Sequence, residues 1–127
     1  MVKILLMAAG GAAGTLLRYA VTVCMSRVAP AFPLGVLTVN VAGSFLIGFC
    51  WCLAEAFHWS FYARAFLFTG LFGGFTTFSS FSLDTMELFR AGAYKVAGLN
   101  IVANNALGLM AVFAGFFVGR QILYNSN

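Results

Sequence analysis

The residues able to do chemistry in this chain are neutral ones. Between positions 70 and 82 it reads Gly70-Leu71-Phe72-Gly73-Gly74-Phe75-Thr76-Thr77-Phe78-Ser79-Ser80-Phe81-Ser82, and the amides of Asn40, Asn100, Asn104 and Asn105 lie elsewhere in equally apolar surroundings. Hydroxyls and amides present hydrogen-bond donors without a fixed negative charge, so they suit a small anion whose hydration shell they can replace. A buried carboxylate, which a proton-coupled cation transporter needs, is missing from the centre of every apolar stretch: Glu55, Asp84 and Glu87 fall near the ends or after the glycine-hydroxyl run. Arg18 is the one charge well inside an apolar stretch, and such a charge is a functional candidate by its cost alone. Taken singly, each Ser, Thr or Asn also serves as interhelical glue worth about 0.6 to 2 kcal/mol. Phe78 and Phe81 are three residues apart, which puts both rings on one helix face beside Thr77, Ser79 and Ser80. Aromatic rings have a positive edge, so this pair could line a narrow anion path.

Membrane helices carry these groups. Of 127 residues 62% are hydrophobic and only 8% charged, against about 25% charged in soluble domains. A helical span takes about 20 residues, and the pattern predicts an all-α integral membrane protein. Its single membrane domain, 1–127, has spans near 4–25, 35–54, 63–89 and 96–123. Arg27, Pro30 and Pro33 mark the first turn, and Glu55, His58, Trp59 and Tyr62 read as interfacial. In the third span Gly73-Gly74 lowers helix propensity by roughly 1 kcal/mol per glycine, and the hydroxyls can bond freed backbone, so a break is expected near 73–78. Broken backbone at membrane depth needs protein or a polar cavity around it. Gly10 and Gly14 form a small-xxx-small face for close helix approach.

Charge and cysteine usage remove other classes. The net charge of +4 comes from scattered Lys and Arg rather than a basic run, which argues against nucleic acid. Cys24, Cys50 and Cys52 are odd in number and sit in apolar stretches, pointing to packing rather than a disulfide framework or a metal site. Met1-Val2-Lys3 and the apolar residues after it superficially match a secretory signal, but the apolar stretch runs on to Val23, so no cleavage is expected. With four spans, Lys3, Arg64 and Arg120 lie on one side and Arg27, Arg90 and Lys95 on the other. Three minus three leaves no orientation bias, which suits an assembly with one copy facing each way.

These residues resemble the Fluc fluoride-channel family, also called CrcB. The resemblance spans nearly the whole chain. It is carried by Gly10-Gly11-Ala12-Ala13-Gly14-Thr15-Leu16-Leu17-Arg18-Tyr19, by Gly35-Val36-Leu37-Thr38-Val39-Asn40-Val41-Ala42-Gly43-Ser44-Phe45, and most specifically by Gly73-Gly74-Phe75-Thr76-Thr77-Phe78-Ser79-Ser80-Phe81-Ser82. It implies a passive fluoride channel, not an enzyme, built as an antiparallel homodimer in the inner (plasma) membrane, with two pores and an interfacial sodium ion. By the same resemblance Phe78 and Phe81 face the ion and Asn40 lies beside its path. Thr77, Ser79 and Ser80 form the hydroxyl stretch near the pore, and Arg18 matches a first-span arginine with either a vestibule or a snorkelling role. Gly73 and Thr76 match the positions whose backbone carbonyls hold sodium.

The chain departs from the family pattern in two places. Asp84 stands where many members have Glu, and the fourth span carries Asn100, Asn104 and Asn105 where members often place a hydroxyl track. Two rival functions share the length and the spans. A small dual-topology multidrug exporter should have a carboxylate in its first span, and no Asp or Glu precedes Glu55. A non-conducting structural subunit would leave the glycine-hydroxyl run unexplained.

Overall fold

A computed structural model describes residues 1–125. All secondary structure among them is helical: α1 (Val2–Ser26), α2 (Leu34–Ala56), α3 (Phe61–Arg64), a π-helical segment (Ala65–Phe72), α4 (Gly73–Phe75), α5 (Phe78–Arg90) and α6 (Tyr94–Asn125). Four helical stretches are long and apolar enough to cross a membrane, Val2–Ser26, Leu34–Ala56, Phe61–Arg90 and Tyr94–Asn125. The chain is therefore a multi-pass membrane protein. The helices extend a few residues beyond the apolar windows read from the sequence, because helix geometry continues through interfacial residues that hydropathy leaves out.

Backbone hydrogen bonding explains where the helices stop. His58 has φ 48°, and its N–H and that of Trp59 return to the carbonyls of Glu55 and Ala54 at 3.4 and 3.1 Å. Gly92, at φ 75°, ends α5 in the same way, with Gly92 N–H on Phe89 O at 3.0 Å and Ala93 N–H on Leu88 O at 2.9 Å. Both are left-handed caps that satisfy carbonyls a helix end would leave bare. Arg64 reaches across to the same Ala54 carbonyl at 2.7 Å, tying the start of the third stretch to the end of the second.

Two tight glycine seams hold the bundle. In the first, α1 lies against the π-helical segment and α4: a Cβ at Gly14 would strike the Leu71 carbonyl, and one at Gly74 the Gly11 carbonyl. In the second, α2 and α6 approach so closely that a Cβ at Gly48 would strike the Val112 carbonyl and one at Gly115 that of Phe45. Apolar burial drives little association in lipid, so backbone proximity and the van der Waals contact it allows carry the packing.

Gly48→Val is expected to destabilise the protein by about 1 to 3 kcal/mol or more through overpacking against backbone that cannot move aside. Gly98→Ala, where a Cβ meets nothing within 4 Å, is expected to change stability by less than about 1 kcal/mol. Thermal unfolding in detergent compares the two.

Candidate functional site

The site grows from two residues that leave the helix. Gly73 and Gly74 are helical, whereas Thr76 (φ −84°, ψ 157°) and Thr77 (φ −153°, ψ 119°) are extended between α4 and α5. In an unbroken helix the Thr77 N–H would return to Gly73 O and the Ser80 N–H to Thr76 O. Here Asn40 of α2 intercepts the first, its Oδ1 accepting from Thr77 N–H at 2.8 Å. The Thr77 hydroxyl intercepts the second, accepting from Ser80 N–H at 3.2 Å as the N-cap of α5. The interruption is thus fixed by side-chain groups competing for backbone donors, and glycine propensity is not what places it.

Asn40 does more than accept. Its Nδ2 donates to Thr77 O at 3.1 Å and to Asn104 Oδ1 at 2.9 Å. One amide therefore holds the Thr77 N–H that extension released and also donates to the Thr77 C=O, the carbonyl from which α5 starts. Asn104 in turn donates to Asn100 Oδ1 at 2.8 Å and to Asn100 O at 3.1 Å. Asn100, fully buried, donates to Thr85 Oγ1 at 2.9 Å, and Thr85 donates to Phe81 O at 2.7 Å. Among the described residues no buried side-chain nitrogen or oxygen lacks a partner.

Beside this network lies an open cavity of about 310 Å³ lined by Asn40, Gly43, Ser44, Ile47, Thr76, Thr77, Phe78, Phe81, Asn104 and Asn105. None of these residues is ionisable. Phe78 and Phe81 stand with ring centroids 5.3 Å apart and planes tilted by 59°. Phe81 is 7% exposed and Phe78 75% exposed, so one ring is packed while the other projects from the protomer. A second cavity, about 230 Å³, lies on the other side of Thr77 and is lined by Thr15, Arg18, Tyr19, Thr22, Val36, Thr77 and Ser80. Arg18 Nη1 approaches Thr76 O at 3.4 Å.

The structure divides the residues expected at the site. Asn40, Thr76, Thr77, Phe78, Phe81, Asn104 and Asn105 share the first cavity, whereas Arg18 and Ser80 line the second. The Ser79 hydroxyl is 3.3 Å from that of Thr77, and its residue is exposed. Asn105 bonds its own helix at Ile101 O, 2.8 Å away. Asn100 lines neither cavity. Thr85, which sequence reasoning passed over as one hydroxyl among many, closes the amide chain. Its three-residue spacing from Ser82 gave no hint of this, and only the packing of α5 on α6 reveals it.

The same geometry bears on a hard cation. Gly73 O and Thr76 O have both lost the N–H that a continuous helix would give them, and carbonyl oxygens are the donors such an ion prefers. Arg18 Nη1, 3.4 Å from Thr76 O, is a positive group that repels a cation and supplies no ligand, and two carbonyls alone are fewer than a hard cation takes. Among the described residues no group of three or more His, Cys, Asp or Glu could hold a metal.

Fold and site together define a small polytopic membrane protein with a polar, uncharged cavity built around an interrupted third stretch. The chain belongs to the CrcB family: the model for CrcB-like protein, Camphor Resistance (CrcB), matches residues 5–116. It is 59% identical over 124 residues to the fluoride-specific ion channel FluC of Parabacteroides distasonis, covering 97% of each chain. It is 48% identical to the protein of that name from Agrobacterium fabrum, over 96% of this chain and 99% of the relative. For the Desulfotalea psychrophila protein of the same name the identity is 42%, over 94% of each.

Asn40→Ala strands the Thr77 N–H, at about 1 to 3 kcal/mol for a buried donor left without a partner. The variant is expected to unfold at lower temperature in detergent, with the Thr77 amide exchanging hydrogen faster than in the parent.

Proposed function

We propose that this protein is a fluoride-selective channel that lets the ion cross the membrane down its gradient. The observation that carries this reading is the uncharged cavity, where amide and hydroxyl groups meet the rings of Phe78 and Phe81 without any carboxylate or cation. A buried anion must recover what it loses in hydration. The amide donors of Asn40 and Asn104 are bonded within the protein, so positive ring edges supply that together with donors that exchange to the ion as it passes, while a tight path excludes a larger halide. The relatives named as fluoride-specific channels support the same ion. Relief of fluoride that enters a cell as neutral HF is the physiological use, from the inner (plasma) membrane.

The conducting unit in this reading is an antiparallel homodimer. Three features support it: the equal Lys and Arg count on the two sides, the projecting Phe78 ring, and the polar Ser79 and Asn105 positions left exposed on the protomer. Hydroxyl and amide groups facing lipid are costly, and a second copy would cover them. The interruption at Thr76 and Thr77 then lies at mid-membrane depth in the third span. Gly73 O and Thr76 O of each copy would hold a structural sodium ion, whose fixed positive charge lowers the cost of anion entry. The multidrug-exporter alternative lacks its acidic residue, and a purely structural subunit has no use for a donor-lined cavity.

Efflux from liposomes containing the purified protein, followed with fluoride and chloride electrodes, tests the function. Rapid fluoride release with negligible chloride release is expected. Phe78→Ile and Phe81→Ile are each expected to cut fluoride flux by at least about tenfold, the cost of about 1.4 kcal/mol at the barrier, with dimerisation retained. Normal flux in both would remove the rings from the path, and no release of either ion from vesicles holding folded protein would favour the structural subunit.

A further inference from the structure

Asn40, Asn104, Asn100 and Thr85 form one hydrogen-bonded chain whose direction is fixed from both ends. It begins at Thr77 N–H, which can only donate, and ends at Phe81 C=O, which can only accept. Because Thr77 N–H takes Asn40 Oδ1, Asn40 must present Nδ2 to α6. Asn104 must then meet it with Oδ1, which turns Asn104 Nδ2 onto Asn100 Oδ1 and Asn100 Nδ2 onto Thr85 Oγ1. Reversing any one amide would set two NH₂ groups or two carbonyl oxygens face to face. The two backbone ends belong to the first turn of α5, the turn that carries Phe78 and Phe81. Asn40 and Asn104 line the cavity, but Asn100 and Thr85 do not, and both are buried.

We infer that Thr85 and Asn100 are positioning residues, which through Asn104 hold the Asn40 amide on the Thr77 backbone and so fix both residues in the cavity wall. This rests on the reading of that cavity as the fluoride path, although the positioning itself is a property of the fold. A simple α5–α6 clasp would need only the Asn100–Thr85 bond. The continuation through Asn104 to Asn40 on a third helix makes a remote substitution felt at Thr77.

The test combines hydrogen exchange, read by NMR on the full-length protein in lipid nanodiscs, with fluoride efflux. Thr85→Val keeps the side-chain shape and removes the hydroxyl, leaving Asn100 Nδ2 without its acceptor. It is expected to speed exchange at the Thr77 amide about tenfold and to shift the Asn40 side-chain amide resonance, with fluoride efflux falling by a similar factor, as loss of about one buried hydrogen bond implies. Thr85→Ser restores the hydroxyl and is expected to restore all three. If Thr85→Val does not fold, Thr85→Cys takes its place, its thiol being a weak acceptor of similar size. Unchanged Thr77 exchange in the folded variant would overturn the inference. So would equal defects in the Val and Ser variants, or faster exchange spread evenly over α5 and α6, each of which indicates packing alone. If the parent passes no fluoride, the channel reading fails, while the exchange and resonance shifts still decide the positioning.

Discussion

Thr77 has its backbone N–H and C=O both held by one side chain, the Asn40 amide, at 2.8 and 3.1 Å. An extended residue between two helical pieces in an apolar bundle loses a helical hydrogen bond, and a buried backbone group left unpaired there would cost several kcal/mol. Asn40 removes that cost with a group of the right shape, a donor and an acceptor on one planar amide. Much else follows from it. The Gly73 carbonyl without its helical N–H, the Thr76 carbonyl turned to Arg18, the Thr77 cap on α5, the direction of the amide chain and the angle at which Phe78 and Phe81 meet the cavity all assume that Thr77 stays extended.

Neutrality is the second constraint. A carboxylate in the cavity would repel an anion, and a lysine would hold it too firmly to let it leave; conduction needs attraction that is easily reversed. In the proposed channel, neutral amides and hydroxyls meet that condition, and the ring edges would add attraction without adding water. The nearest full charge, Arg18, lies across Thr77 in a separate cavity and leans toward the Thr76 carbonyl, where it raises the local potential without lining the uncharged path. The glycine seams contribute rigidity, since helices in backbone contact cannot open to admit a larger ion at low cost.

Much of this was legible in the sequence. Hydropathy gave the four spans, Gly10 and Gly14 gave the close α1 packing, and the glycine-hydroxyl run marked where the site would lie. Asn100 and Asn104 could be placed on one helix face by their spacing of four. The sequence did not reveal that Gly73-Gly74 would remain helical while the extended residues fell at Thr76 and Thr77, because that choice is made by Asn40, thirty-seven positions away. Propensity is local, and a long-range capping bond overrides it. Nor could it separate Asn100, buried within the chain of amides, from Asn105, exposed and turned onto its own helix. The π-helical turns over Ala65–Phe72 and the left-handed His58 also left no mark, since each depends on how the ends of the helices meet.

In the proposed channel, fluoride meets the protein beside the Asn40 amide and at the Phe78 and Phe81 rings. The most direct test of that contact is an NMR titration of isotope-labelled protein in lipid nanodiscs, comparing fluoride with chloride. The account predicts that fluoride shifts the Asn40 side-chain amide, the Thr77 backbone amide and the ring protons of Phe78 and Phe81, and that chloride at equal concentration does not. Fluoride shifts confined to the Arg18 cavity, or equal responses to the two halides at Asn40, would contradict it.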